Sequence, residues 1–374
     1  MIFPSVAALA FTLATVPVVL LWSIVTWLRR RRQRPLWRRA LWLHAGLFVL
    51  HLFVTFPLAL GYVGSRVVGT RGPDRPYAGP RLDAAGDLIV QSTATLRREA
   101  ENGCDVAPSI LARAAERAHY VPSSDGVTLR VFRLEARVEP PRAVAVLVHG
   151  LFRCAVEVEP VAAMLRDRGC ECWLLDLRNH GGSTRAPFTG GLRECDDVVA
   201  AVRHVREQPG RASTPLFLYG VSLGSIAVAL ALPRIDGIAG VVLDSPIDDL
   251  HAAAHRMLSF HRPDDRRSWF RQSEPWRSLV IASLGAWSGF RVEEVAPAEV
   301  LATLPHDLPM LVIGGGTDDR APPESVERLF ARLPMPASKR ELWIEPDGGH
   351  GDLSRQRPDQ YAACLERLLA RLRR

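Results

Sequence analysis

One serine, one acid and one histidine stand out by their neighbours in the chain. Ser222 lies in Gly220-Val221-Ser222-Leu223-Gly224, directly after the apolar run Leu216–Tyr219 and directly before an alanine-rich stretch. A G-x-S-x-G pentapeptide recurs by chance. Between a strand and a helix, however, it forms a sharp turn that exposes the serine, and small residues two places either side allow chain and helix to approach. The competing reading is a Gly-Ser loop in which Ser222 caps the helix. A serine hydroxyl is a poor nucleophile until a base takes its proton. His350, in Gly348-Gly349-His350-Gly351-Asp352, comes after the last apolar run and supplies an imidazole. Asp318, in Gly315-Gly316-Thr317-Asp318-Asp319, comes after another and is the acid expected to orient that ring, with Asp244 as its competitor. Asp319 is expected to point elsewhere. The order Ser, Asp, His suits a nucleophile–acid–base set on a parallel sheet.

Attack on a carbonyl also requires donors for the developing oxyanion. The Leu223 N–H, at the start of the helix, is one. The other is expected from the loop His149-Gly150-Leu151-Phe152, with Leu151 preferred and Phe152 as the alternative. His149 and His180 also come after strands, but each precedes a glycine and lies before the serine in sequence. They are read, with Gly150, Gly220 and Gly224, as residues that shape the loops around the site.

The elements that must hold these residues are set by periodicity. From Ala118 onward, short β-type runs alternate with helical stretches. Strands are expected at Val127–Leu134, Ala143–Val148, Cys172–Leu175, Leu216–Tyr219, Val241–Leu243, Met310–Ile313 and Glu341–Ile344. Helices are expected at Val161–Asp167, Asp196–Glu207, Ser225–Leu232 and Ser325–Leu333. Continuous apolar strands such as AVAVLV belong to a sheet covered on both faces. The alternation predicts an α/β fold with a doubly wound, mostly parallel sheet, whose chemistry gathers at the carboxyl ends of the strands.

From about Tyr120 to its end, roughly two-thirds of its length, the chain resembles the α/β-hydrolase superfamily, in the branch of monoglyceride lipase-like and serine aminopeptidase-like enzymes. The resemblance rests on Ser123-Ser124-Asp125-Gly126-Val127-Thr128-Leu129, His149-Gly150, Asp176-Leu177-Arg178-Asn179-His180-Gly181-Gly182-Ser183, the Ser222 elbow, and the Asp318 and His350 loops. It implies Ser222 as nucleophile, Asp318 as acid, His350 as base, and an oxyanion N–H after His149-Gly150. Val221 and Ser225 depart from the residues common in the family, and neither touches a reacting atom. Between Ser245 and Pro305 the chain is rich in Trp and His, where this fold commonly carries a lid. Its apolar stretch Leu279–Trp287 either lines a pocket or touches a bilayer, or is an ordinary helix packed on the domain.

The first third of the chain has another character. Ile2–Leu28 and Ala40–Val63 are apolar runs, each longer than the ~20 residues a helix needs to cross a bilayer. Between them lie Arg29, Arg30, Arg31, Arg32, Arg34, Arg38 and Arg39, which match the whole net charge of +7. Basic residues beside apolar runs are a topology signal, not a nucleic-acid face. The first run has no positive charge before it and is too long for the core of a signal peptide. The expectation is a two-pass membrane anchor with the arginine loop in the cytoplasm and the hydrolase domain outside. Arg66, Arg71, Arg75 and Arg81 just beyond the second run count against that orientation. Residues 65–117 read as a linker into a domain spanning 118–374, with its lid insertion at about 245–305. His44 and His51 share a helix face. That pair suits haem ligation, or more simply a packed helix seam. Pro57 is expected to kink its helix.

None of the six cysteines has a zinc or redox spacing, and no acidic or thiol group completes a metal site around His251, His255 and His261. No metal and no cofactor are expected. Buried free thiols are expected for at least half of the cysteines. The resulting reading is a membrane-anchored serine hydrolase of carboxylic esters, with acyl lipids as candidate substrates. A peptidase or thioesterase would use the same groups. A retired, non-catalytic scaffold and a haem or transport protein are the rivals from other classes.

Overall fold

The computed structural model describes residues 42–43, 45–69, 118–259 and 273–372. The first apolar run, the arginine cluster, His44, Cys104 and most of the expected linker lie outside them. The chain divides into two compact units. One comprises the described parts of Met1–Val68 and Ala254–Val292, the other those of Gly69–Ala253 and Glu293–Arg374. Segment 254–292, expected as part of the hydrolase domain, thus groups with the N-terminal helix.

In the smaller unit, one helix among the described residues, Ala45–Arg66, is long and apolar enough to cross a membrane. It contains a π-helical turn at His51–Thr55, followed by α1 (Phe56–Gly69). The turn has a local cause. Phe56 N–H reaches back five residues to His51 O. The next carbonyl in that register, Leu52 O, faces Pro57, which has no N–H to give. Trp276 Nε1 donates to Leu52 O instead, at 3.3 Å. The His51 ring hydrogen-bonds Thr55 Oγ1, one turn further along the same helix, at 2.5 Å.

In the larger unit the elements run β1 (Ala118–Pro122), β2 (Thr128–Leu134), β3 (Ala143–Val148), α2 (Glu159–Asp167), β4 (Cys170–Leu175), α3 (Glu194–Arg206), β5 (Leu216–Val221), α4 (Leu223–Ala231) and β6 (Ile238–Asp244). Next in the chain comes the insertion, with α5 (Leu250–Ser259), divided between the units at residue 254, and α6 (Glu274–Ser288), which belongs to the smaller unit. The chain then forms α7 (Pro297–Leu301), β7 (Met310–Gly315), α8 (Pro323–Ala331), β8 (Arg340–Glu345), α9 (Leu353–Gln356) and α10 (Pro358–Arg371).

The eight strands make one sheet in the order β1-β2-β4-β3-β5-β6-β7-β8. β2 is antiparallel to both of its neighbours, and the remaining pairs are parallel. Helices cover both faces, so β3, β5, β6 and β7 bury every side chain. On one face Ala143, Ala145 and Leu147 of β3 join Phe217 and Tyr219 of β5 in a core with α2 and with Tyr361, Leu365, Leu368 and Leu369 of α10. Glu171 of β4 is buried among apolar residues because Arg133, Arg211 and the Trp173 indole N–H all bond its carboxylate.

Register brings the strand ends together. Val148 pairs with Gly220, Val221 with Asp244, Asp244 with Ile313, and Gly315 with Glu345. The loops after β3, β5, β6, β7 and β8 therefore open at one edge of the sheet. The five described cysteines, Cys154, Cys170, Cys172, Cys195 and Cys364, are buried free thiols. Burial pushes Cys170 up to about 12 and Cys195 up to about 11.

In α6, of the smaller unit, the side chains meet the N-terminal helix directly. Ser283 Oγ donates to Leu58 O at 2.7 Å, and the Tyr62 and Trp287 rings meet edge-on with centroids 4.9 Å apart. A Cβ on Gly61 would lie 2.5 Å from Val280 O and 2.6 Å from Ser283 Cβ. Leu279–Trp287, for which the sequence leaves pocket lining, bilayer contact and an ordinary packed helix all open, is part of α6.

Candidate active site

The turn after β5 places Ser222 at φ 54°, ψ −116°, a conformation that L residues rarely adopt. The surroundings impose it. Ser222 N donates to Asp244 O at 3.0 Å, and Ser225 Oγ donates to Ser222 O at 2.6 Å. A Cβ on Gly220 would strike the Gly224 carbonyl and come within 2.7 Å of Ser225 N. One on Gly224 would strike Val148 O and come within 2.7 Å of His149 O. Both glycines are thus required for β5, α4 and the β3 loop to close on one another. The Ser222 side chain makes no cap bond to α4, which sets aside its reading as a helix cap.

Instead, Ser222 Oγ lies 2.7 Å from His350 Nε2, and His350 Nδ1 lies 2.7 Å from Asp318 Oδ2. Asp318 is buried, and its other oxygen accepts the N–H groups of Arg320 and Ala321, each at 2.9 Å. The loops carrying Asp318 and His350 are joined by Thr317, whose N–H and Oγ both donate to Gly348 O, at 2.9 and 2.7 Å. Asp319 is exposed.

Asp244, the competing acid, faces another way. Its carboxylate takes the Tyr361 hydroxyl at 2.7 Å, the Tyr219 hydroxyl at 3.2 Å and the Ser245 hydroxyl at 3.1 Å. Complete burial raises its pKa to about 6, opposed by those three hydroxyls and by the charge of nearby His350.

In the β3 loop, Phe152 has φ 62° and donates its N–H to His180 Nε2 at 3.2 Å. That commits Phe152, whereas no acceptor among the described residues takes the Leu151 N–H. Leu223 N–H opens α4 and has no helical partner by position. His149 and His180 sit beneath this loop. His149 Nδ1–H donates to Gly150 O at 2.7 Å and Nε2 accepts from Leu177 N at 3.1 Å. Burial brings its pKa down to about 3, with nearby His180 pushing the same way. His180 Nδ1–H donates to Arg178 O at 2.8 Å, and burial lowers its pKa as well. Both rings are neutral pieces of architecture.

Two features had no sequence signal. Glu157 accepts the Gly150 N–H at 2.6 Å and so steadies the loop that presents Leu151. Gly351 N–H donates to Ser245 Oγ at 2.9 Å, linking the His350 loop to the end of β6. Neither Glu157 nor Ser245 belongs to a spaced motif. Among the described residues no cluster of three His, Cys, Asp or Glu side chains is arranged to hold a metal ion.

Comparison with known proteins agrees with this fold. Residues 145–364 match the model of the alpha/beta hydrolase family. Uncharacterized proteins from two strains of Mycobacterium tuberculosis are 30% identical over 193 residues, 51% of this chain. The chain spans 57% of the length of these relatives. Among solved structures, the Pyrococcus furiosus esterase Pf2001 is similar with a TM-score of 0.54 at 20% identity, over 68% of this chain and 91% of that one. Est1E of Butyrivibrio proteoclasticus, solved with ferulic acid, gives 0.50 at 17% identity over 68% and 99%. At such identities the likeness is one of fold. The family match covers more than half of the chain, and with the strand order and the elbow turn it leads to one conclusion: this chain belongs to the alpha/beta hydrolase family.

Proposed function

We propose that the chain is a serine esterase tethered to a membrane, with Ser222, His350 and Asp318 as its catalytic residues. One observation carries this reading: the continuous pair of 2.7 Å contacts from Ser222 Oγ through His350 to Asp318. The Ser222 proton passes to His350 Nε2 as Oγ bonds to the ester carbonyl carbon. Asp318 holds the ring in the tautomer that accepts it and stabilises the imidazolium. The oxyanion meets the N–H groups of Leu151 and Leu223. Collapse expels the alcohol, which takes the proton from His350 and leaves an acyl-serine. Water then repeats the sequence, releasing the acid and restoring Ser222. The chemistry draws on no cofactor or metal.

For the tether, the support is the Ala45–Arg66 helix, together with the exposed Trp42, Leu43, Leu47, Phe48, Val49 and Leu50 at its start. An apolar surface of that kind is suited to lipid. A second span at Ile2–Leu28, a cytoplasmic arginine loop between the two, an extracytoplasmic hydrolase domain, a lid role for the insertion and kinship with monoglyceride lipase-like enzymes complete the proposal. The test is labelling of membranes with a fluorophosphonate probe. Wild type is expected to label and Ser222→Ala is not; an unlabelled but folded wild type would sink the reading.

A further inference from the structure

Beside Ser222 is a small open cleft, and its walls are unusual for an enzyme that takes a plain acyl chain. Of its eleven lining residues only Leu151 and Val221 bring apolar side chains, whereas Arg153, Arg320, Arg355, Glu157 and Asp352 bring charges. Three guanidinium groups face two carboxylates.

The carboxylate of Glu157 is already committed. One oxygen accepts Gly150 N–H at 2.6 Å, and the other meets Arg153 Nε at 3.3 Å. Arg153 still holds a buried Nη1 that has no hydrogen-bond partner among the described residues. A buried donor without an acceptor is costly, and a charged one more so, which favours a small shift of the side chain that brings this atom to a substrate oxygen. Arg355 is half-buried and donates Nη2 to Glu157 O at 3.0 Å, a single bond from a group with five N–H donors. Planar guanidinium forks match carboxylates and phosphates, and partial burial strengthens that attraction.

We infer that the cleft selects esters bearing a carboxylate or phosphate close to the scissile carbonyl, with Arg153 and Arg355 as the groups that bind the anion. This rests on the esterase reading above and narrows it to a substrate class. Arg153 lies in the β3 loop and Arg355 in α9, so the anion is held beside Ser222 and oriented for attack.

The experiment compares matched esters on the full chain in detergent: p-nitrophenyl butyrate against mono-p-nitrophenyl glutarate, and monobutyrylglycerol against its glycerol phosphate counterpart. In at least one pair the anionic member is expected to have a kcat/KM about tenfold higher or more. The pair that responds identifies carboxylate or phosphate as the source. Arg153→Gln and Arg355→Gln should each shrink that preference about tenfold, mostly through KM, with Arg355→Lys restoring part of it. Wild type should lose preference as salt rises from ~50 to ~500 mM, a readout that depends on no substitution. Neutral and anionic esters turned over within about twofold of each other, or a preference that survives both glutamine variants, would overturn the inference while leaving the esterase reading intact. No turnover of any ester together with no fluorophosphonate labelling would overturn both.

Discussion

Ser245 accepts the Gly351 N–H at 2.9 Å through the same hydroxyl that donates to Asp244 at 3.1 Å. The residue after His350 is therefore tied to a buried carboxylate, and through it to Tyr219 and Tyr361. Ser245 has φ 47°, so its own backbone is constrained as well. We expect Ser245→Ala to let the His350 ring wander and to lower kcat about tenfold with little change in KM. Ser245→Gly relieves the backbone but also lacks the hydroxyl. If glycine restores kcat, the bond to Gly351 is not what positions the ring.

Asp318 fixes the His350 tautomer by accepting its Nδ1–H at 2.7 Å. An asparagine there can offer its amide N–H to Nδ1 and so turn the ring's proton towards Ser222. Asp318→Asn should lower kcat by about 10⁴ with the fold retained, as measured by ester hydrolysis alongside thermal unfolding. Asp244→Asn should leave most of the activity. Equal losses in both variants would reassign the acid.

His149 makes stability depend on pH. Its ordinary pKa of 6.5 falls to about 3 in the folded protein, so the unfolded chain takes up its proton first. The His149 contribution is complete above 6.5 and is lost as pH falls from there towards about 3, at a limiting slope of ~1.4 kcal/mol per pH unit. Buried His180 is shifted in the same direction. His149→Gln, able to keep a bond to Gly150 O, should unfold at lower temperature near neutrality yet lose less on acidification. Parallel acid profiles for variant and wild type would remove His149 from the account.

Gly61 admits α6 to the N-terminal helix. Its substitution by leucine puts a side chain where Val280 O and Ser283 Cβ now sit 2.5 and 2.6 Å from the Cβ position. Overpacking of that kind typically costs ~1–3 kcal/mol. Gly61→Leu should speed proteolytic cleavage within 273–292 about tenfold. Gly46→Leu is the control, because a Cβ at Gly46 meets nothing within 4 Å.

The larger unit was legible where one strand decided its own fate. AVAVLV needs both faces covered, and β3 has the expected ends at Ala143 and Val148. β4 and β6 start earlier than expected, at Cys170 and Ile238. In β4 the early part carries Glu171, which is tolerable only because Arg133 and Arg211 come from elsewhere in the chain. In β6 it carries Gly240, where a Cβ would come within 2.5 Å of Leu372 Cδ2. Helix α10 shows its pattern in Tyr361, Cys364, Leu365, Leu368 and Leu369, but no motif marks it. The residues of the candidate triad could be picked out because each comes after a strand in a glycine-rich loop. Glu157, Ser245 and Arg355 could not, since what they do depends on partners brought near only by folding.

The buried thiols make the hydrolase unit chemically quiet. Thiolate, the form that reacts with maleimides, is suppressed at Cys170, Cys172, Cys195 and Cys364, where burial raises each pKa. With Cys104 replaced by serine, a single new cysteine at exposed Asp236 becomes a lone chemical flag. If the proposed tether holds, an impermeant maleimide added to intact cells would report directly on which side of the bilayer the larger unit resides.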